Sequence, residues 1–115
     1  EMLGTRKERL NQQLQREIAV ILQRELKDPE IGFVTITRVE LSNDLAYAKV
    51  GYSCLGGPDE RHRSQQALDR SSGYVRNLVR KRLHLKIIPQ LLFRFDESIE
   101  GSIDMAKQLD QLNQT

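Results

Sequence analysis

Tryptophan is absent from this chain of 115 residues, cysteine occurs once, and aromatic residues make up only 5% of it. With Cys54 as the single thiol, no intramolecular disulfide can form, which fits a reducing compartment, most simply the cytoplasm. One cysteine and two histidines, His62 and His84, offer no ligand spacing for a structural zinc site, so neither metal nor cofactor is expected. Long apolar runs are missing too: hydrophobic stretches are short and broken by charges, so none reads as a transmembrane helix. The opening EMLGTRKERL carries no apolar stretch of the kind a secretory signal needs. Catalytic constellations are equally scarce. There is no phosphate-cradling P-loop, nucleophile elbow or HExxH, and the adjacent acids Asp96 and Glu97 have no partner base. No enzyme is expected.

What is there suffices for a core. Hydrophobic residues make up 38% and charged residues 30%, over a length that suits one domain, 1–115, ordered from about residue 6 to residue 112. Leu10, Leu14, Ile18, Ile21, Leu22 and Leu26 recur at helical spacing, which predicts an amphipathic helix from Arg6 to Lys27. Thr5 and Glu8 form its capping box and Asp28-Pro29 its stop. A strand follows in which Val34 and Ile36 alternate in one phase and Val39 and Leu41 in the other, so a bulge near Arg38 must absorb one residue. Ser42 to Leu45 supplies a turn into a second strand, about Ala46 to Cys54, in which Ala48, Val50, Tyr52 and Cys54 share one face. Pro58 opens the next helix, and Pro89 marks the start or edge of a third strand in KIIPQLLFRFD. Ile99, Ile103, Ala106, Leu109 and Leu112 predict a closing helix. The order makes a two-layer α+β sandwich with helices on one face of a three-stranded sheet, and a right-handed crossover if the second and third strands run parallel.

The net charge of +2 conceals an asymmetry. From Arg61 to Lys86 there are eight Lys/Arg against one acid, Asp69, or +7, which leaves −5 for the rest of the chain. Such a layout suits one face directed at a polyanion. Within it, ALDRSSGYVRNLVRKRLHLKIIP keeps helical apolar spacing on both sides of Ser71-Ser72-Gly73, residues that disfavour a helix interior. This predicts a helix broken at those three residues. After the break, Tyr74, Val75, Leu78, Val79 and Leu83 take one arc of the wheel and Arg76, Asn77, Arg80 and Lys81 the other. Arg82 falls inside the apolar arc, with its stem packed. A helix restarting after Gly73 would present free amides to a phosphate, with arginines one turn on.

These residues resemble the ribosome-binding factor A family. The resemblance lies in ELKDPEIGFVTITRVELSNDLAYAKV, SGYVRNLVRKRLHLKIIPQLLFRFDES and IEGSIDM, in order and at the right spacing over most of Arg6 to Leu112. It implies a type II KH-like fold, α-β-β-α-kink-α-β plus a C-terminal helix, without a GXXG loop and with Ser71-Ser72-Gly73 at the place of an Ala-x-Gly kink. Ser71 for the usual alanine and Gly51 for a larger strand residue are the two departures. It further implies a monomeric, non-enzymatic factor of ribosome biogenesis in the cytoplasm. Such a factor binds the small subunit and its 16S ribosomal RNA late in maturation, aids rRNA folding and processing, and supports growth in the cold. Ribosomal proteins and a ribosome-associated GTPase are further implied partners. By carry-over Ser71, Ser72 and Gly73 meet RNA, and Arg76, Arg80 and Lys81 extend that surface. Arg70, Lys86, Arg38 and Lys49 are added by charge and position.

Two other readings stay open from the residues alone. In a DNA-binding helix-turn-helix protein Ser72-Gly73 would be the turn and YVRNLVRKRL the recognition helix, although the flanking strands and the lack of a base-reading face beyond Asn77 count against it. A protein-docking module would instead place the basic face against an acidic partner.

Overall fold

A computed structural model of the chain describes residues 5–26, 28–31 and 34–97. The first helix, α1, runs Arg6–Val20 and passes into one π-helical turn, Ile21–Glu25. Thr5 caps it by accepting from the Glu8 backbone N–H at 3.1 Å. Strands β1, Val34–Leu41, and β2, Tyr47–Cys54, pair antiparallel through the Ser42–Leu45 turn, where Leu45 takes a left-handed φ of 61°. Helix α2, Pro58–Leu83, leads to β3, Gln90–Phe95, which pairs parallel with β2 and completes the sheet order β1-β2-β3. The expected closing helix lies outside the described residues.

The change of phase in β1 is real. Register slips between Ile36 and Arg38, leaving Thr37 as the extra residue, so Ile36 stays opposite Tyr52 and Val39 stays opposite Val50 on the inner face. That face, with Leu41, Ala48, Leu91 and Phe93, meets Leu14 and Ile18 of α1 and Ala67, Leu68, Val75 and Val79 of α2 in one core cluster. Both helices therefore cover the same side of the sheet. Burying each of the larger of these side chains favours the fold by about 1.5–3 kcal/mol, which is why short, alternating strands suffice.

Against the expectation from sequence, α2 is not broken at Ser71-Ser72-Gly73. It is a single helix of 26 residues, and Gly73 has no left-handed backbone angle. Ser64, Leu68, Val75 and Val79 are buried at spacings of four and seven, a stripe that stays in phase only if the helix runs straight through. The penalty of one glycine and two serines, about 0.5–1 kcal/mol each, is smaller than the burial that continuity secures. The helix ends at His84, left-handed at φ 52°, whose N–H donates to the Arg80 carbonyl at 3.0 Å.

Candidate nucleic-acid interface

Because the apolar stripe of α2 faces the core, its opposite side is fixed as solvent-facing. Arg70, Gly73, Asn77, Arg80 and Lys81 all lie there and all are exposed. They recur at three- and four-residue intervals and so form one ridge of neighbours along the helix. Arg80 and Lys81 have no ion-pair or hydrogen-bond partner among the described residues, and Lys86 stands exposed in the segment that follows the helix. Arg70 is partly committed, with Nη2 at 3.4 Å from Asp28 Oδ2. A Cβ built on Gly73 would meet nothing within 4 Å, so the glycine answers no packing need of this chain. The helix backbone there stays open to whatever approaches it.

Unbroken, α2 keeps the amides after Gly73 inside its own hydrogen-bond ladder. The phosphate corner of free N–H groups expected at a restart is therefore not formed, and the Ser72 hydroxyl donates back to the Asp69 carbonyl at 3.0 Å. The same continuity removes the turn that a helix-turn-helix reading places at Ser72-Gly73. What remains for a polyanion is a cationic ridge acting through side chains.

The structure also separates residues that sequence groups together. Helical spacing puts Arg76 among the free cations, but its guanidinium crosses to the chain entering β3. There Nη2 donates to the Ile88 carbonyl at 2.9 Å and Nε to the Pro89 carbonyl at 3.2 Å. Beside it a groove of about 330 Å³, lined by Ser72, Gly73, Arg76, Gln90 and Leu91, runs between α2 and β3, with Ser71 half-buried one residue before it. Arg38 and Lys49 lie on the sheet face away from the helices and share no surface with the ridge. Arg38 pairs there with Glu40 at 3.3 Å and with the buried Asp96 at 3.6 Å. Asp96 is thus part of the fold's wiring. Arg82 joins α2 to the end of α1 through Glu25 at 2.6 Å and Glu17 at 3.5 Å. Tyr74, placed in the apolar arc by the wheel, is 50% exposed because it sits at the arc's edge.

An α+β sandwich whose longest helix turns an uncommitted cationic ridge to solvent has the makings of a domain that docks on a polyanion. Comparison with known proteins narrows this. The profile of ribosome-binding factor A matches residues 6–109. Ribosome-binding factor A of Natranaerobius thermophilus is 46% identical over 112 residues, spanning 97% of this chain and 86% of that protein. That of Thermomicrobium roseum is 44% identical over 113 residues, spanning 98% and 88%. Among solved structures, the crystal structure of ribosome-binding factor A from Thermus thermophilus superposes with a TM-score of 0.70 at 26% identity, over 77% of this chain and 93% of that one. A homology model of the Thermus thermophilus factor, fitted into a cryo-EM map of a complex of that factor with the 30S subunit, gives 0.65 at 25% identity, over 77% and 93%. This chain belongs to the ribosome-binding factor A family.

Proposed function

We propose that this chain binds the small ribosomal subunit through its 16S ribosomal RNA, as a non-enzymatic assembly factor, and that the exposed ridge of α2 is the surface that meets the RNA. The observation that carries this is the pair Arg80 and Lys81, exposed and without a partner among the described residues, about two turns beyond an exposed Gly73 with open space over it. Uncommitted cations on the outer face of a helix bind phosphates without reading bases, which suits attachment to a folded RNA surface. A homology model of a relative, fitted into a map of its complex with the 30S subunit, supports the partner. The element order α-β-β-α-β supports a type II KH-like relationship, here with an uninterrupted second helix in place of a GXXG clamp. Aid to rRNA folding and processing, action in the cytoplasm and importance in the cold belong to the same reading and rest on family membership.

Co-sedimentation tests it. Wild type and an Arg80→Glu/Lys81→Glu variant are spun with free small subunits, whole ribosomes and double-stranded DNA at low and moderate salt. Selective pelleting with free small subunits, lost in the variant, is the expected result. Equal or better binding to DNA would overturn the proposal.

A further inference from the structure

We infer that Tyr74, Gly73 and Asn77 form a notch for one unpaired nucleobase on the α2 ridge, so that the preferred RNA is a duplex interrupted by an unpaired residue. This deepens the reading of the ridge and rests on it. Tyr74 is half exposed, although an aromatic ring on a helix that covers a core normally turns inward, and its ring and hydroxyl have no partner among the described residues. Its neighbours one turn away are Arg70 on the N-terminal side and Asn77 on the C-terminal side, with Lys81 one turn further. Gly73 precedes Tyr74 in the chain and is one turn from Asn77, and with no side chain in the space above it a flat group can lie against the helix. The parts are complementary in chemistry. The ring offers a stacking surface for any base, the Asn77 amide offers a donor and an acceptor to a base edge, and the cations hold the phosphates on either side. A fully paired helix keeps its base faces covered and could use the cations alone.

The experiment compares two RNA hairpins with the same stem, one fully paired and one carrying a single unpaired adenine, as binding partners of the wild type and three variants at one salt concentration. Wild type is expected to bind the bulged hairpin about tenfold more tightly, a factor within the range for one stacked base. Tyr74→Leu abolishes that preference and leaves the affinity for the paired hairpin within about twofold, whereas Tyr74→Phe keeps it. Tyr74→Trp gives a protein with a single tryptophan, whose emission is quenched by the bulged hairpin and not by the paired one. Equal binding of both hairpins by the wild type, or an undiminished preference in Tyr74→Leu, overturns the notch. Arg80→Glu/Lys81→Glu separates the two levels. If it loses both hairpins while Tyr74→Leu changes nothing, the notch alone fails; if it binds both as wild type does, the ridge reading fails with it.

Discussion

Thr37 donates from its hydroxyl to Asp96 Oδ2 at 2.6 Å, so the bulged residue of β1 is tied to the residue that follows β3. The two strands are not neighbours; β2 lies between them, and the bond passes over Gly51. A Cβ at Gly51 would stand 2.9 Å from Thr37 Oγ1 and 3.1 Å from Arg38 Cγ. The absence of a side chain at Gly51 thus makes room for the bulge.

Gly51→Ala should therefore destabilise the fold by displacing the Thr37 hydroxyl and leaving the buried Asp96 short of a donor, at a cost of about 1–3 kcal/mol. Urea denaturation checks it as a double-mutant cycle. In a Thr37→Ala background the same substitution should cost less than half as much, because the hydroxyl it collides with is gone. Equal costs in both backgrounds would show that the glycine serves some other need.

Arg76 and Arg80 are one turn apart and should behave differently. Arg76→Ala removes two hydrogen bonds to the Ile88 and Pro89 carbonyls and should lower stability by about 1–2 kcal/mol. Arg80→Ala should leave stability within about 0.5 kcal/mol and act on RNA affinity. Thermal melts of the two variants side by side decide this. An Arg76 variant that melts with the wild type would return that residue to the pool of free cations.

The Tyr52 ring is fully buried and its hydroxyl donates to Gln65 Oε1 at 2.6 Å. Burial, first of several causes, pushes its pKa up from 10.0 to about 12. Because the folded value lies above the unfolded one, this group's contribution to stability is complete below pH 10 and is lost as pH climbs toward 12. Denaturation midpoints measured across that interval should fall more steeply in wild type than in Tyr52→Phe, which lacks the titrating group. Parallel curves would contradict it.

Gly73→Ala separates stability from function. The residue is helical and nothing occupies its side-chain direction, so alanine should stabilise α2 by about 0.5–1 kcal/mol. The added methyl enters the space where an RNA is expected, so affinity for small subunits should fall. A higher melting temperature with weaker pelleting is the expected pair of results; a gain in both would move the RNA away from Gly73.

Much of the fold was legible because its signals are periodic. The phase change between Ile36 and Val39 located the bulge, Pro58 and Pro89 marked the starts of α2 and β3, and Ser42–Leu45 marked the hairpin. The unbroken helix was not legible from local preference, since Ser71-Ser72-Gly73 disfavours a helix and only the shared core stripe of Leu68, Val75 and Val79 overrides it. At the candidate interface, helical spacing placed Arg80 and Lys81 on the outer face of α2, where both are exposed. It could not show that Arg76 reaches carbonyls thirteen and twelve residues further on, or that Arg38 folds onto Asp96, because those partners meet only after the sheet is assembled. Asp28, which restrains Arg70, was hidden in the same way.

The most direct measurement is the salt dependence of binding to free small subunits, for wild type and for Arg80→Ala/Lys81→Ala. A ridge that contacts about four phosphates should give the wild type a log–log slope near −3, and the double variant a slope shallower by about 1.5, since each phosphate contact adds about 0.7–0.9. A double variant with the wild-type slope and affinity would mean that the exposed face of α2 does not touch the RNA.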